Sequence, residues 1–160
     1  MIPEFIEVFG SPWDLLPLGL HHSTLSDVEN RYVYNQDRKR LFDGLIEASK
    51  NLRLAGCRCI YLNGSFVTAK PHPNDFDACW DPTGVDMQLI DPVFNDFNNL
   101  RAAQKNRFGG EFFPSNNFAN EIGQSFLEFF QTDRFSGKPK GIIVLRLIND
   151  PQLNPVRNDL

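Results

Sequence analysis

The chain has 160 residues, 41% hydrophobic and 22% charged, the balance of one globular domain able to bury a sizeable core. Its formal net charge of −4 excludes a protein that coats nucleic acid through bulk electrostatics, though not a local basic groove. No window approaches the roughly 20 apolar residues of a membrane span, and Met1-Ile-Pro-Glu-Phe5 lacks the basic start and apolar stretch of a signal peptide. A cytoplasmic location and no membrane partner are therefore expected. Cys57, Cys59 and Cys79 make an odd number without a secreted framework and fit a reducing compartment. With no histidine placed nearby to complete a zinc site, they read as buried thiols.

Residues 1–22, rich in Pro, Gly and apolar side chains, read as an ordered extended arm. Leu15, Leu16, Leu18 and Leu20 need cover, either from the domain itself or from a second copy in a homodimer. His21 and His22 point apart on an extended chain and read as no metal pair. Ser23 or Thr24 caps a first helix, with Asp27 and Glu29 in its opening turn. A second helix spans Asn35 to Leu54, with Leu41, Phe42, Leu45, Ile46 and Leu52 as its apolar stripe and Gly56 to end it. Arg38, Lys39 and Arg40 open this helix and read as a solvated basic face, with RNA or a triphosphate as the functional alternative.

Strands are predicted from Cys57 to Asn63 and from Asp75 to Asp81, joined through the Lys70-Pro-His-Pro-Asn74 loop. Thr83 and Asp86 have capping-box-like spacing before a short helical turn. Asp91-Pro92 starts a helix whose face runs through Val93, Phe94, Phe97, Leu100 and Gln104 to Phe108, carrying Arg101, Lys105 and Arg107, and closed by Gly109-Gly110. A short strand with Glu111-Phe112-Phe113 follows. Ser115 to Gln131 reads as another helix with Phe118, Ile122, Phe126, Phe129 and Phe130 on one side. Eight of the fifteen phenylalanines lie between Phe108 and Phe135 and read as a dense aromatic core. After a turn at 132–140, residues 141–148 form a β-prone final strand, and residues 149–160 a loose tail. The fold class is α/β (mixed α+β): one domain, 1–160, with a short mixed sheet of four or five strands and flanking helices.

The chemistry concentrates between Tyr61 and Asp81. Strand alternation puts Asp75 and Asp77 on one face and Phe76 on the other. Two adjacent carboxylates repel unless a cation or proton neutralises them, and hard divalent ions take carboxylate oxygens together with substrate phosphates. Gly64-Ser65, at the end of an apolar strand, gives a turn whose amides and hydroxyl can meet an anion.

Gly64-Ser65, the nine-residue spacer and Asp75-Phe76-Asp77 resemble the signature of the nucleotidyltransferase superfamily related to DNA polymerase beta, and of its minimal bacterial members in particular. The core resemblance covers about residues 55 to 115. Leu16-Pro-Leu-Gly-Leu20 and Phe126-Leu-Glu-Phe-Phe130 are similar to an uncharacterised nucleotidyltransferase-like bacterial group. The resemblance implies that Gly64 and Ser65, with Lys70 in the following loop, hold nucleotide phosphates. It implies that Asp75 and Asp77 bind two Mg²⁺ (or Mn²⁺) ions and that a third acid on a later strand completes the site. Glu111 stands where that acid is required; Asp86 and Asp91 compete, but both fit helix starts. The implied activity moves an NMP group from a nucleoside triphosphate to a hydroxyl of a protein, RNA or small molecule. The alternative is a non-catalytic partner of a cognate protein in a toxin–antitoxin or defence pair.

Overall fold

In the computed structural model, which describes residues 1–153, alternating apolar positions build a mixed sheet of five strands. These are β1 (Leu20–Ser23), β2 (Cys59–Asn63), β3 (Phe76–Trp80), β4 (Gly110–Pro114) and β5 (Ile142–Arg146). Their order is β1-β5-β2-β3-β4. β1 pairs parallel with β5 and β3 with β4, whereas β2 runs antiparallel to β3 and β5. The fold is therefore mixed α/β, as expected.

One sheet face carries Ile60, Leu62, Phe76, Ala78, Trp80, Phe112, Ile143 and Leu145 into the main core. α1 (Leu25–Tyr32) and α2 (Gln36–Leu54) supply the facing stripe, including Val28, Leu41, Phe42, Leu45 and Leu52. Thr24 caps α1 in a capping box with Asp27, and Asn35 caps α2. α3 (Asn98–Phe108) crosses α2 so closely that a Cβ at Gly44 would collide with the Phe108 carbonyl. On the opposite face a smaller cluster joins Cys79, Ile142 and Phe130 to Tyr61, Phe113, Phe126 and Leu127, with α4 (Phe126–Phe129) above it. Period-two alternation sends Asp77 and Glu111 to this second face.

Several expected elements differ. β1 begins inside the stretch read as an arm; Leu15 and Leu16 are buried, while Leu18 and Leu20 stay exposed. The segment read as one helix from Asp91 to Phe108 is a 3-10 turn (Pro92–Asn95) and a separate α3, which opens with left-handed Asn99, Leu100 and Arg101 and leaves Leu100 exposed. Ser115 to Gln131 is helical only at Phe126–Phe129. Asn120 bonds the Gln124 amide through its side chain and Gly123 takes φ +86°, closing a turn in which Phe118 and Ile122 are exposed. Short polar side chains compete with helical hydrogen bonding in this way. The aromatic core is correspondingly smaller, since Phe118, Phe129 and Phe135 face solvent. Asp86 accepts from Gln88 N in a turn rather than starting a helix. The expected loose tail starts later than residue 149: Asp150 is buried and accepts from Leu25 N at 2.8 Å, and Leu153 is buried. Residues 154–160 of that tail lie outside the described residues.

The basic opening of α2 is not a solvated face at Arg38. Its side chain is fully buried and donates to the carbonyls of Phe66 (2.7 Å), Thr68 (3.0 Å), Tyr32 (3.3 Å) and Lys70. Lys39 and Arg40 remain exposed, as read. Arg38→Met is expected to cost about 3 kcal/mol or more in urea denaturation, because several buried carbonyls lose a charged donor at once. Arg40→Met should stay within about 0.5 kcal/mol of the wild type. An Arg38→Met protein as stable as Arg40→Met would contradict this role.

Candidate functional site

The antiparallel pairing of β2 and β3 sets Asn63 opposite Asp77, and the parallel pairing of β3 and β4 sets Asp77 opposite Glu111. The end of β2 and the starts of β3 and β4 thus meet at one corner of the sheet. Asp75 lies two residues before Asp77, just ahead of β3. Gly64 follows Asn63 with φ +90°, a conformation that L side chains resist. A Cβ there would stand 2.8 Å from Asp77 N and 3.2 Å from Asp77 Oδ2, so only glycine lets the turn close over the aspartate. Ser65 opens a 3-10 turn (Ser65–Val67), and its Oγ donates a long bond, 3.5 Å, to the Asp75 carbonyl.

Burial raises both aspartates above the usual carboxylate range, and the neighbouring acids add to it. For Asp75 the added repulsion comes from Glu111; for Asp77 it comes from Asp75 and Glu111, and its carboxyl is pushed up to about 6. Cations oppose the rise: Lys105, Lys70 and Arg134 act on Asp75, and Lys140 and Arg134 on Asp77. Glu111 is held at 2.8 Å by Lys105 Nζ and at 3.4 Å by Arg101. Lys140 is buried, donates to Asn63 Oδ1, and is lowered by that burial to about 8, with Asp77 and Asp133 pulling the other way.

Gly64, Ser65, Asp75, Asp77 and Glu111 are therefore gathered in one corner, and the charge of Lys70 reaches Asp75. Asp86 and Asp91 stand apart with backbone tasks, Asp91 also bonding Arg107 at 2.6 Å. His21 is bound to the Pro17 carbonyl, and its neighbour His22 is exposed. Cys57 and Cys79 are buried free thiols, and Cys59 is half-buried. The donor chemistry of Asp75 and Asp77 fits a hard divalent ion: oxygen ligands, mutually repelling, with a glycine rather than a side chain beside Asp77. Glu111 does not complete that set as it stands. Among the described residues no group of three His, Cys, Asp or Glu is spaced to hold a metal, and Lys105 and Arg101 occupy the Glu111 carboxylate.

Sequence reasoning missed Arg38, Asn63, Lys140 and Arg134. A signal for Arg38 exists, since it lies three and four residues before Leu41 and Phe42 and so shares their inward stripe. Lys140 carries no such local pattern; its place depends on β5 returning beside β2.

Residues 9–146 match a family described as a family of unknown function (DUF6932). The chain belongs to this family. The matched span includes every site residue from Gly64 to Lys140. No curated protein and no solved structure matches the chain.

The raised Asp77 carboxyl carries a pH dependence. Between the ordinary value of 3.8 and about 6, the folded state binds a proton that the unfolded state has released, so this group's contribution to stability falls as pH rises through that window. In chelator, Asp77→Asn is expected to melt above the wild type at pH 7, with the gap closing as pH falls to about 4. A gap of constant size across that range would contradict the assigned environment.

Proposed function

We propose that this corner of the sheet is the active site of a nucleotidyltransferase that moves an NMP group from a nucleoside triphosphate to a hydroxyl of a protein, RNA or small molecule. The observation that carries the reading is the register Asn63–Asp77–Glu111, which brings two acids, with Asp75 two residues before Asp77, to the strand ends beside the Gly64-Ser65 turn. On this reading the amides of that turn and the Ser65 hydroxyl donate to phosphate oxygens, with Lys70 adding charge from the next loop. Asp75 and Asp77 would hold magnesium or manganese, which when bound screens triphosphate charge and polarises the reacting phosphoryl group. Glu111, once released by Lys105, can take the proton of the acceptor hydroxyl. The acceptor oxygen bonds to the α-phosphorus, the α–β anhydride bond breaks, and pyrophosphate leaves.

A second reading is favoured by one observation: Glu111 is neutralised by Lys105 and Arg101 rather than free for catalysis. On that reading the chain is a non-catalytic nucleotidyltransferase-fold partner of a cognate protein.

The two are separated by incubating purified protein with magnesium or manganese and each labelled triphosphate, scoring transfer to the protein itself, RNA and cell lysate. The proposal expects labelled product, a loss of at least about 10²-fold in Asp75→Asn and Asp77→Asn, and a similar loss in Glu111→Gln with little change in nucleotide affinity. Transfer that persists in the double aspartate variant would contradict it. Nucleotide binding with no transfer to any acceptor would favour the second reading.

A further inference from the structure

Lys140 lies two residues before β5, and the antiparallel pairing of β5 with β2 (Leu62 opposite Ile143) carries it alongside the Gly64-Ser65 turn. Its main chain is fixed there by a bond from Lys140 N to the Gln131 carbonyl at 2.9 Å. The side chain is 8% exposed and runs inward to the site rather than out to solvent. An ammonium has three hydrogens to donate. One goes to Asn63 Oδ1. Among the described residues no carboxylate oxygen lies within 4.0 Å of it; Asp77 and Asp133 act on it only through space. Buried charges are ordinarily paired, because leaving an ion without a partner in a low-dielectric interior is costly. Here two donors of a nine-tenths buried lysine are left for a group that is not part of the chain.

We propose that Lys140 is the phosphate-binding lysine of this site, gripping the polyphosphate end of a nucleoside triphosphate between its ammonium and the Gly64-Ser65 turn. The inference rests on the nucleotide reading above and moves the main phosphate contact from Lys70, on a loop, to a buried residue at the head of a strand. A rigid, desolvated ammonium recognises an anion more strongly than an exposed one, since little water competes and little side-chain freedom is lost. Burial lowers it to about 8, while Asp77 and Asp133 favour its charged form.

Inorganic tripolyphosphate, which lacks base and ribose, is the probe. Its affinity is measured by calorimetry for wild type, Lys140→Met and Lys70→Met, once in chelator and once in magnesium. Loss of a charged hydrogen-bond donor is expected to weaken binding by at least about 10-fold in Lys140→Met under both conditions, and by less than about threefold in Lys70→Met. Should Lys140→Met not fold, Lys140→Gln, which retains a donor for Asn63, takes its place. Binding equal to wild type in the Lys140 variant, or no tripolyphosphate binding by the wild type, overturns the proposal. The outcome separates it from the transferase reading. Lysine-dependent tripolyphosphate binding without NMP transfer supports the anion site and removes the enzyme. Transfer with a neutral Lys140 variant that binds as wild type does the opposite.

Discussion

The guanidinium of Arg38, buried without a carboxylate beside it, holds the loop on which the whole corner is built. Four carbonyls take its hydrogens, and the rings of Tyr34, Phe66 and Tyr32 lie 4.8, 5.3 and 5.8 Å from its centre. An arginine stays charged in such a place, so the carbonyls of 66, 68 and 70 must keep facing it. The rest of the first turn of α2 extends the hold. Asn35 donates to the Pro71 carbonyl at 2.7 Å, Asp37 meets His72 at 2.9 Å, and Arg40 reaches the Asn74 carbonyl at 3.5 Å. Residues 66–74 could otherwise take many paths between β2 and β3. Anchored at four points, they deliver Asp75 and the Gly64-Ser65 turn to each other with little conformational freedom left to lose on binding.

Charge balance is the second constraint. Three carboxylates stand together at this corner, and the chain answers them with Lys105 and Arg101 on Glu111 and with Lys140, Lys70 and Arg134 around the aspartates. Left-handed Asn99, Leu100 and Arg101, with φ of 51°, 56° and 62°, bring Arg101 against Glu111 and the Phe113 ring. Non-glycine residues in that region cost about 1–2 kcal/mol each, an expense concentrated beside the acids rather than spread through the fold. On the proposed function, a polyanionic substrate and its divalent ion would compete with these cations for the three carboxylates.

Much of this was legible because the relevant signals are local. Gly64-Ser65 and Asp75-Phe76-Asp77 fall within fourteen consecutive positions, and period-two alternation alone assigns their faces. Gly109-Gly110 marked the exit from α3, and alternation turned Glu111 away from Phe112; the adjacency of β4 to β3 then had to be supplied by the fold. A cap at Ser23 or Thr24 was readable because capping needs only neighbouring residues, and Thr24 takes it; Asn35, read as the first residue of α2, is its cap. The misreadings share a cause. Arg38 reads as solvent-facing by its charge, although it shares the stripe of Leu41 and Phe42. Residues 115–125 read as helical by their phenylalanine spacing, although Asn120 and Gly123 close a turn there. Lys140 was invisible, since its neighbours Asn63 and Asp77 arrive from strands far away in sequence.

The central claim, that Asp75 and Asp77 form a cation-binding pair beside the glycine turn, is tested most directly by the melting temperature of the apoprotein as magnesium or manganese is added. Ions that bind only the folded state raise it by mass action. The account expects a saturable rise in the wild type and none in the Asp75→Asn/Asp77→Asn double variant, which should itself melt at or above the metal-free wild type because a repelling pair is gone. A double variant that responds to the ions as fully as the wild type would place the cation elsewhere and contradict the account.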